Sequence, residues 1–159
     1  SGSTGHAEVV KVVFDPLEIS LKEILISFWE MHDPTQGMRQ GNDLGTQYRS
    51  AIYWTDSQQC DQATASLAHF QQALRGKSFG NITTEVRELS DFYYAEDYHQ
   101  QYLAIEGSRQ YCSASPTKAK LGFFHGCNYK LPKEIWDNFN WEIDKCVLRS
   151  SNKPIDINN

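Results

Sequence analysis

The sequence predicts an α+β domain on three observations: a capped amphipathic helix over residues 20–31, β-forming runs on either side of it, and a longer helical stripe beginning at Asp56. The first run, Ala7 to Phe14, reads as a strand, because Val9, Val10, Val12, Val13 and Phe14 favour pleated backbone and Asp15-Pro16 stops them. Period two puts Glu8 on the face of Val10, Val12 and Phe14. If that face packs on a core, Glu8 is a carboxyl at its rim, placed to donate a proton. The same pattern also fits a strand-end glutamate pointing into water.

Ser20 followed three residues later by Glu23 is a capping box, and Leu21, Ile24, Leu25, Phe28 and Trp29 then recur at helical spacing. This helix ends near Met31, since Pro34 disfavours helical backbone at Asp33. Tyr48 to Trp54 reads as a second strand, with Tyr48, Ile52 and Trp54 on one face and Ala51 and Tyr53 on the other. Asp56 caps a second helix that carries Ala63, Leu67, Phe70 and Leu74 on one stripe and ends at Gly76. Ile82 to Val86 is short and β-rich. Phe92-Tyr93-Tyr94 leads into a short helix over Ala95 to Leu103, with Tyr98 and Tyr102 one turn apart.

After Cys112 the earlier periodicities do not recur, and Pro116 interrupts a small, polar stretch. The reading is one domain over residues 1–112 and a divergent, partly disordered tail over 113–159. Within that tail Leu131 to Ile143 suits a helix burying Ile135, Trp136, Phe139 and Ile143, although Asn138, Asn140 and Trp141 break the stripe.

Between the first helix and the second strand lies Gly37 to Ser50, which has the make-up of a site loop. Gly37, Gly41 and Gly45 open backbone conformations closed to other residues, and Gln40, Asn42, Asp43, Gln47 and Tyr48 supply donors and acceptors. An Asx-rich structural loop has the same composition.

Composition limits the function classes. The 159 residues are 40% hydrophobic and 13% aromatic, enough for one packed core, so the chain is not of the disordered class. A net charge of -5 with 15 unclustered basic residues gives no phosphate-neutralising surface, which argues against nucleic acid. No apolar run is long enough to span a bilayer. Ser1 to Gly5 has neither region of a signal peptide, and the missing initiator methionine suggests processing or a fragment. Cys60, Cys112, Cys127 and Cys146 form no Cys-x-x-Cys pair and no Cys/His group at zinc spacing, so no metal site is expected. Two disulfides are permitted by the count. A reduced compartment is the better expectation, with any functional thiol doing redox or nucleophilic chemistry. His6 and His99 are read as loop-holding residues, and His32 as favouring the dipole at the end of the first helix.

Six segments, in order, closely resemble the class A peptide-methionine sulfoxide reductases. They are Thr4-Gly5-His6-Ala7-Glu8, Phe28-Trp29-Glu30-Met31-His32-Asp33-Pro34-Thr35-Gln36-Gly37, Gln40-Gly41-Asn42-Asp43, Gly45-Thr46-Gln47-Tyr48-Arg49-Ser50, Ile82-Thr83-Thr84-Glu85, and Phe92 through Leu103. The resemblance spans residues 3 to about 112. It implies a two-layer α+β sandwich with a mixed or antiparallel sheet, a ferredoxin-like core whose N-terminal strand-helix-strand is missing here. It implies reduction of the S epimer of methionine sulfoxide, free or in peptides, with Glu8 as acid and Asp43 and Tyr48 assisting at the sulfoxide oxygen. Gly41 and Asn42 fall in the substrate pocket, and Cys112, after Tyr111, matches the first recycling cysteine. Thioredoxin, or dithiothreitol in vitro, is the implied reductant, with no bound cofactor, a monomeric state, and a cytoplasmic location unless an upstream peptide targets mitochondria.

The departures from the family also set expectations. The family's Gly-Cys-Phe-Trp-Gly nucleophile segment has no counterpart after Ser1, so this chain by itself is expected to expose apolar surface and to be poorly stable. That leaves a catalytically inactive sulfoxide- or thioredoxin-binding domain, or a truncated isoform, as the alternative to an enzyme. Residues 113–159 replace the family's glycine-rich tail. Cys127 follows Gly122-Phe123-Phe124-His125-Gly126, an echo that places Phe123 at the cysteine position and is read as coincidence. Cys127 remains a candidate recycling thiol, and Cys60 and Cys146 are read as incidental.

Overall fold

The computed structural model describes residues 2–100, 102, 113–122 and 124. Their contacts divide the chain into two units, one formed by residues 1–88 with 113–130 and the other by 89–112 with 131–159.

The first unit is built on two helices. Helix α1, Leu21–Glu30, begins with the expected capping box: Ser20 Oγ accepts the Glu23 N–H at 3.3 Å and Glu23 Oε2 accepts the Ser20 N–H at 2.8 Å. The Ser20 N–H and the Ser20 hydroxyl, both donating to Oε2, hold the Glu23 carboxyl below its ordinary value. Helix α2, Ser57–Arg75, starts where Asp56 Oδ1 accepts the Gln58 N–H at 2.7 Å. It closes at Gly76 in right-handed conformation (φ -74°), and the left-handed turn falls at Ser78 (φ 62°), so Gly76 ends the helix without using its conformational freedom.

The strands are short and form two separate pairs. Arg39–Gln40 (β1) and Asp43–Leu44 (β2) are antiparallel, with Arg39 opposite Leu44 and Gln40 opposite Asp43. Ala51–Trp54 (β3) and Glu85–Glu88 (β4) are parallel, in register from Ala51 opposite Glu85 to Trp54 opposite Glu88. A parallel pair requires a crossover, and α2 supplies it, packing on β3, β4 and α1. The α+β expectation is met, with helices layered on a βαβ unit.

Two local expectations are corrected. Residues 7–14 form no strand: Glu8 N–H donates to Gln47 O at 2.8 Å, but no ladder continues from it. Val9, Val10, Val12 and Val13 are all exposed, Val10 by 84%. β-Propensity measures fit to a half-buried pleated surface, and no such surface meets these valines among the described residues. The second strand also begins later than read, because Thr46–Tyr48 is a turn of 3₁₀ helix.

The core is formed by Leu25 and Trp29 of α1, Ala63, Phe70 and Leu74 of α2, and Ala119, Leu121 and Phe124 from beyond the chain's midpoint. Trp29 stacks on Phe70 with ring centroids 5.7 Å apart, and its indole N–H donates to Ser66 Oγ at 2.8 Å. Ser66 in turn donates to the Ala63 carbonyl at 2.7 Å, so the one polar handle of a fully buried tryptophan is satisfied inside the core. In the segment 113–122, Thr117, Ala119 and Leu121 are buried and Lys118 and Lys120 exposed. Glu30 anchors it by accepting the Leu121 N–H at 2.9 Å and pairing with Lys120 Nζ at 2.5 Å. Burial opposes ionisation of Glu30, but these two donors outweigh it and lower its pKa.

In the second unit, Phe92 and Tyr94 meet edge to face at 5.6 Å, and Asp97–His99 makes one 3₁₀ turn where a helix over 95–103 was expected. Ala95 to His99 are all exposed, and so short a helix needs a packed face to persist. Leu103 and the stretches 131–143 and 150–159 lie outside the described residues.

Ser66→Ala is expected to cost about 1–3 kcal/mol of unfolding free energy, since it strands the buried Trp29 N–H. Urea denaturation followed by tryptophan fluorescence measures this, and a loss under about 0.5 kcal/mol would contradict the account.

Candidate functional site

The sequence from Pro34 to Ser50 is tied down from several directions. Thr83 donates to the Pro34 carbonyl through both its N–H (2.8 Å) and its hydroxyl (3.0 Å), and its Oγ1 accepts the Gly37 N–H at 3.0 Å. The β1–β2 hairpin then turns on Gly41-Asn42. Gly41 has φ +55° while Asn42 is not left-handed, which is the backbone demand of a two-residue hairpin with glycine first. Gln36 Oε1 accepts the Gly41 N–H at 2.7 Å, and Arg39 Nε donates to the Gly41 carbonyl at 2.8 Å. A Cβ at Gly41 would also overlap the backbone of Ser113, whose carbonyl carbon lies 2.8 Å from where it would sit.

Asp43, partly buried in β2, accepts a hydrogen bond from Ser113 Oγ, which also lies 3.0 Å from the Gln40 carbonyl. Asn42 is exposed. The hairpin closes through Gly45 N–H to Met38 O at 3.0 Å, and Tyr48 N–H donates to Gly45 O at 3.1 Å to form the 3₁₀ turn. Gln47 packs against Gly45, where a Cβ would fall 2.8 Å from the Gln47 amide carbon.

Arg49 binds these pieces together. Its side chain is only 11% exposed. Nε donates to Glu85 Oε1 (3.0 Å), Nη1 to Thr46 O (2.8 Å) and His6 O (3.4 Å), and Nη2 to Gly5 O (3.1 Å) and Tyr53 OH (3.2 Å). A guanidinium has five N–H groups, and every one is used. Glu85 also accepts from Tyr53 OH, and Arg87 lies over the Tyr53 ring at 5.2 Å. Burial opposes ionisation of both acids in this group. For Glu85 the Tyr53 and Arg49 donors prevail and lower the pKa, whereas Tyr53, buried and donating to a carboxylate, is raised.

The structure thus joins Gly41 and Asp43 in one hairpin with Ser113, and draws the Glu8 backbone to Gln47, one residue before Tyr48. Glu8 itself is exposed. Cys112 and Cys127 lie outside the described residues. Sequence reasoning missed Arg49 and Ser113 as organisers: the first was quoted only inside a motif, and the second was assigned to the tail. Among the described residues no three His, Cys, Asp or Glu side chains converge as metal ligands, and no helix is long and apolar enough to cross a membrane.

His32 donates from Nδ1 to the Phe28 carbonyl at 2.7 Å, while Nε2 lies 2.8 Å from Ser50 Oγ, which in turn lies 2.8 Å from Thr84 Oγ1. The ring thereby caps the last turn of α1. Desolvation lowers its pKa below the ordinary 6.5, against the opposing pull of the Phe28 carbonyl and Asp33.

These features define an α+β domain with a glycine-turned polar hairpin on a βαβ scaffold. Residues 1–126 match the family model described as peptide methionine sulfoxide reductase, and the chain belongs to that family. The match runs past residue 112 into the segment that completes the core. The peptide methionine sulfoxide reductase MsrA of Vibrio vulnificus is 56% identical over 117 residues, covering 74% of this chain and 56% of the relative. The human mitochondrial peptide methionine sulfoxide reductase is also 56% identical over 117 residues, covering 74% of this chain and 49% of the relative. The solved methionine sulfoxide reductase A of Corynebacterium diphtheriae superposes with a TM-score of 0.62 at 46% identity, over 64% of this chain and 52% of that one. Reduced Mxr1 from Saccharomyces cerevisiae gives 0.61 at 34% identity, over 73% and 60%. The chain spans about half the length of the curated relatives it matches.

Arg49→Lys, with three donors in place of five, is expected to accelerate hydrogen exchange of the Glu8 amide several-fold more than that of the α2 core amides. Equal acceleration everywhere would show a global loss of stability and not a local brace. For His32, the unfolded chain takes up a proton near pH 6.5 while the folded ring resists, so the unfolded state binds more protons between the two pKa values. Stability is therefore fully present above about pH 6.5 and falls as pH drops toward the folded-state value. Denaturation midpoints from pH 8 to 5 test this, and His32→Gln should flatten that part of the profile.

Proposed function

We propose that this chain forms the oxygen-facing part of a peptide-methionine (S)-S-oxide reductase site, in which Glu8 is the acid and Asp43 and Tyr48 assist at the sulfoxide oxygen. The observation that carries this reading is the Gly41-turned hairpin bearing Asp43, within a chain of this family whose motif segments are present in order. The reaction requires such a wall. A thiol attacks the sulfoxide sulfur, the oxygen is protonated, and the sulfide departs as the oxygen passes to the thiol as a sulfenic acid. A second thiol condenses with the sulfenic acid, forming a disulfide and water, and a dithiol reductant resets it. Positioned donors matter because negative charge develops on the oxygen as the sulfur is attacked.

On the family resemblance the attacking thiol is none of Cys60, Cys112, Cys127 or Cys146, and Cys112 is a recycling thiol, with Cys127 a candidate for a second. Gly41 and Asn42 border the substrate. Thioredoxin is the natural reductant in this reading and dithiothreitol its substitute, the chain acts as a monomer, and it works in the cytoplasm or, after targeting, in mitochondria. Supporting the substrate class, the relatives from Vibrio vulnificus and human are peptide methionine sulfoxide reductases.

The test is calorimetric or tryptophan-fluorescence titration with the two epimers of N-acetyl-methionine sulfoxide and with the parent sulfide. The S epimer should bind best, and Asp43→Asn or Tyr48→Phe should weaken it by about tenfold. Equal binding of both epimers and the sulfide would defeat the assignment. With dithiothreitol present, the chain by itself should show no turnover, and S-selective turnover that is lost in Cys127→Ser would instead make Cys127 the nucleophile.

A further inference from the structure

Ser113 meets the hairpin three ways: its hydroxyl contacts Asp43 Oδ2, the same hydroxyl lies 3.0 Å from the Gln40 carbonyl, and its backbone fits against the missing Cβ of Gly41. The segment that carries it is itself fixed, through burial of Thr117, Ala119 and Leu121 and through the grip of Glu30 on Lys120 and Leu121. A serine hydroxyl has one hydrogen and two lone pairs, and here it faces two oxygens. When Asp43 is ionised, the hydrogen goes to the carboxylate, the stronger acceptor.

We propose that Ser113 is a positioning residue for Asp43: its hydroxyl holds Oδ2 and leaves Oδ1 to face the sulfoxide oxygen. This rests on the reductase reading above. Its substance is that a residue 70 positions away in sequence, outside the loop, completes the oxygen-facing wall. The role needs the hydroxyl specifically, because the backbone fit at Gly41 is kept by any residue at 113.

The experiment compares the full chain with Ser113→Ala and Ser113→Thr, the latter keeping the hydroxyl. Side-chain carboxyl ¹³C chemical shifts are compared at one neutral pH, with Asp33 as an internal control. The Asp43 signal should move in Ser113→Ala, return toward its original position in Ser113→Thr, and leave Asp33 unchanged. An Asp43 signal that is the same in Ser113→Ala overturns the proposal without reference to any substrate. In parallel, N-acetyl-methionine-S-sulfoxide affinity should fall by about fivefold to tenfold in Ser113→Ala and recover in Ser113→Thr, while affinity for the parent sulfide, which lacks the oxygen, stays constant. A simple loss of packing would weaken sulfoxide and sulfide alike and would also overturn it. If the unaltered chain binds no sulfoxide, the reductase reading fails and the proposed role falls with it, and the carboxyl chemical shift shows separately whether the Ser113 to Asp43 contact exists.

Discussion

The arrangement of the first unit depends on one guanidinium with no unused donor. Arg49 reaches three backbone carbonyls from two chain segments, a phenol from β3 and a carboxylate from β4. The carbonyls of Gly5 and His6 belong to irregular backbone that has no ladder to fix it, so the arginine does for residues 5–6 what hydrogen-bonded pairing does for β3 and β4. Its charge is compensated by Glu85, which lets it sit nearly buried beside Tyr53. The N-terminal segment and the 3₁₀ turn thereby take their positions from the edge of the βαβ unit.

A second set of joints is uncharged. Phe28, His32, Ser50 and Thr84 link the end of α1 to the residues preceding β3 and β4 through a run of hydrogen bonds. Thr83 does the same for Pro34 and Gly37 at the entry of the hairpin. The two threonines are adjacent, and one β-strand approach thus supports both the helix end and the loop entry.

What was legible in the sequence is what local chemistry decides. The Ser20 and Glu23 box and the Asp56 cap each satisfy helix amides within four residues, and the apolar stripes of α1 and α2 follow one period. The positive φ of Gly37, Gly41 and Gly45 was likewise readable, because those glycines cluster with turn-forming polar residues. The valines of residues 9–13 misled for the opposite reason, since a strand exists only with a partner and propensity cannot name one. Thr117, Ala119 and Leu121 alternate with two lysines, a strand-like signal, but threonine and alanine are too small for the pattern to stand out. Ser113 and Arg49 carry no local signal at all, as their roles are set by contacts dozens of residues away.

The late completion of the core bears on how the chain is made. By the time β4 has left the ribosome, both helices and both strand pairs of the first unit have all their residues, yet Trp29 and Phe70 still lack Ala119, Leu121 and Phe124 on one side. Synthesis runs from the N-terminus, so the nascent protein passes through an interval in which it has its secondary structure but an open, wettable interior. Residues 89–112 must be made during that interval. The 113–122 stretch and Phe124 therefore close the core last.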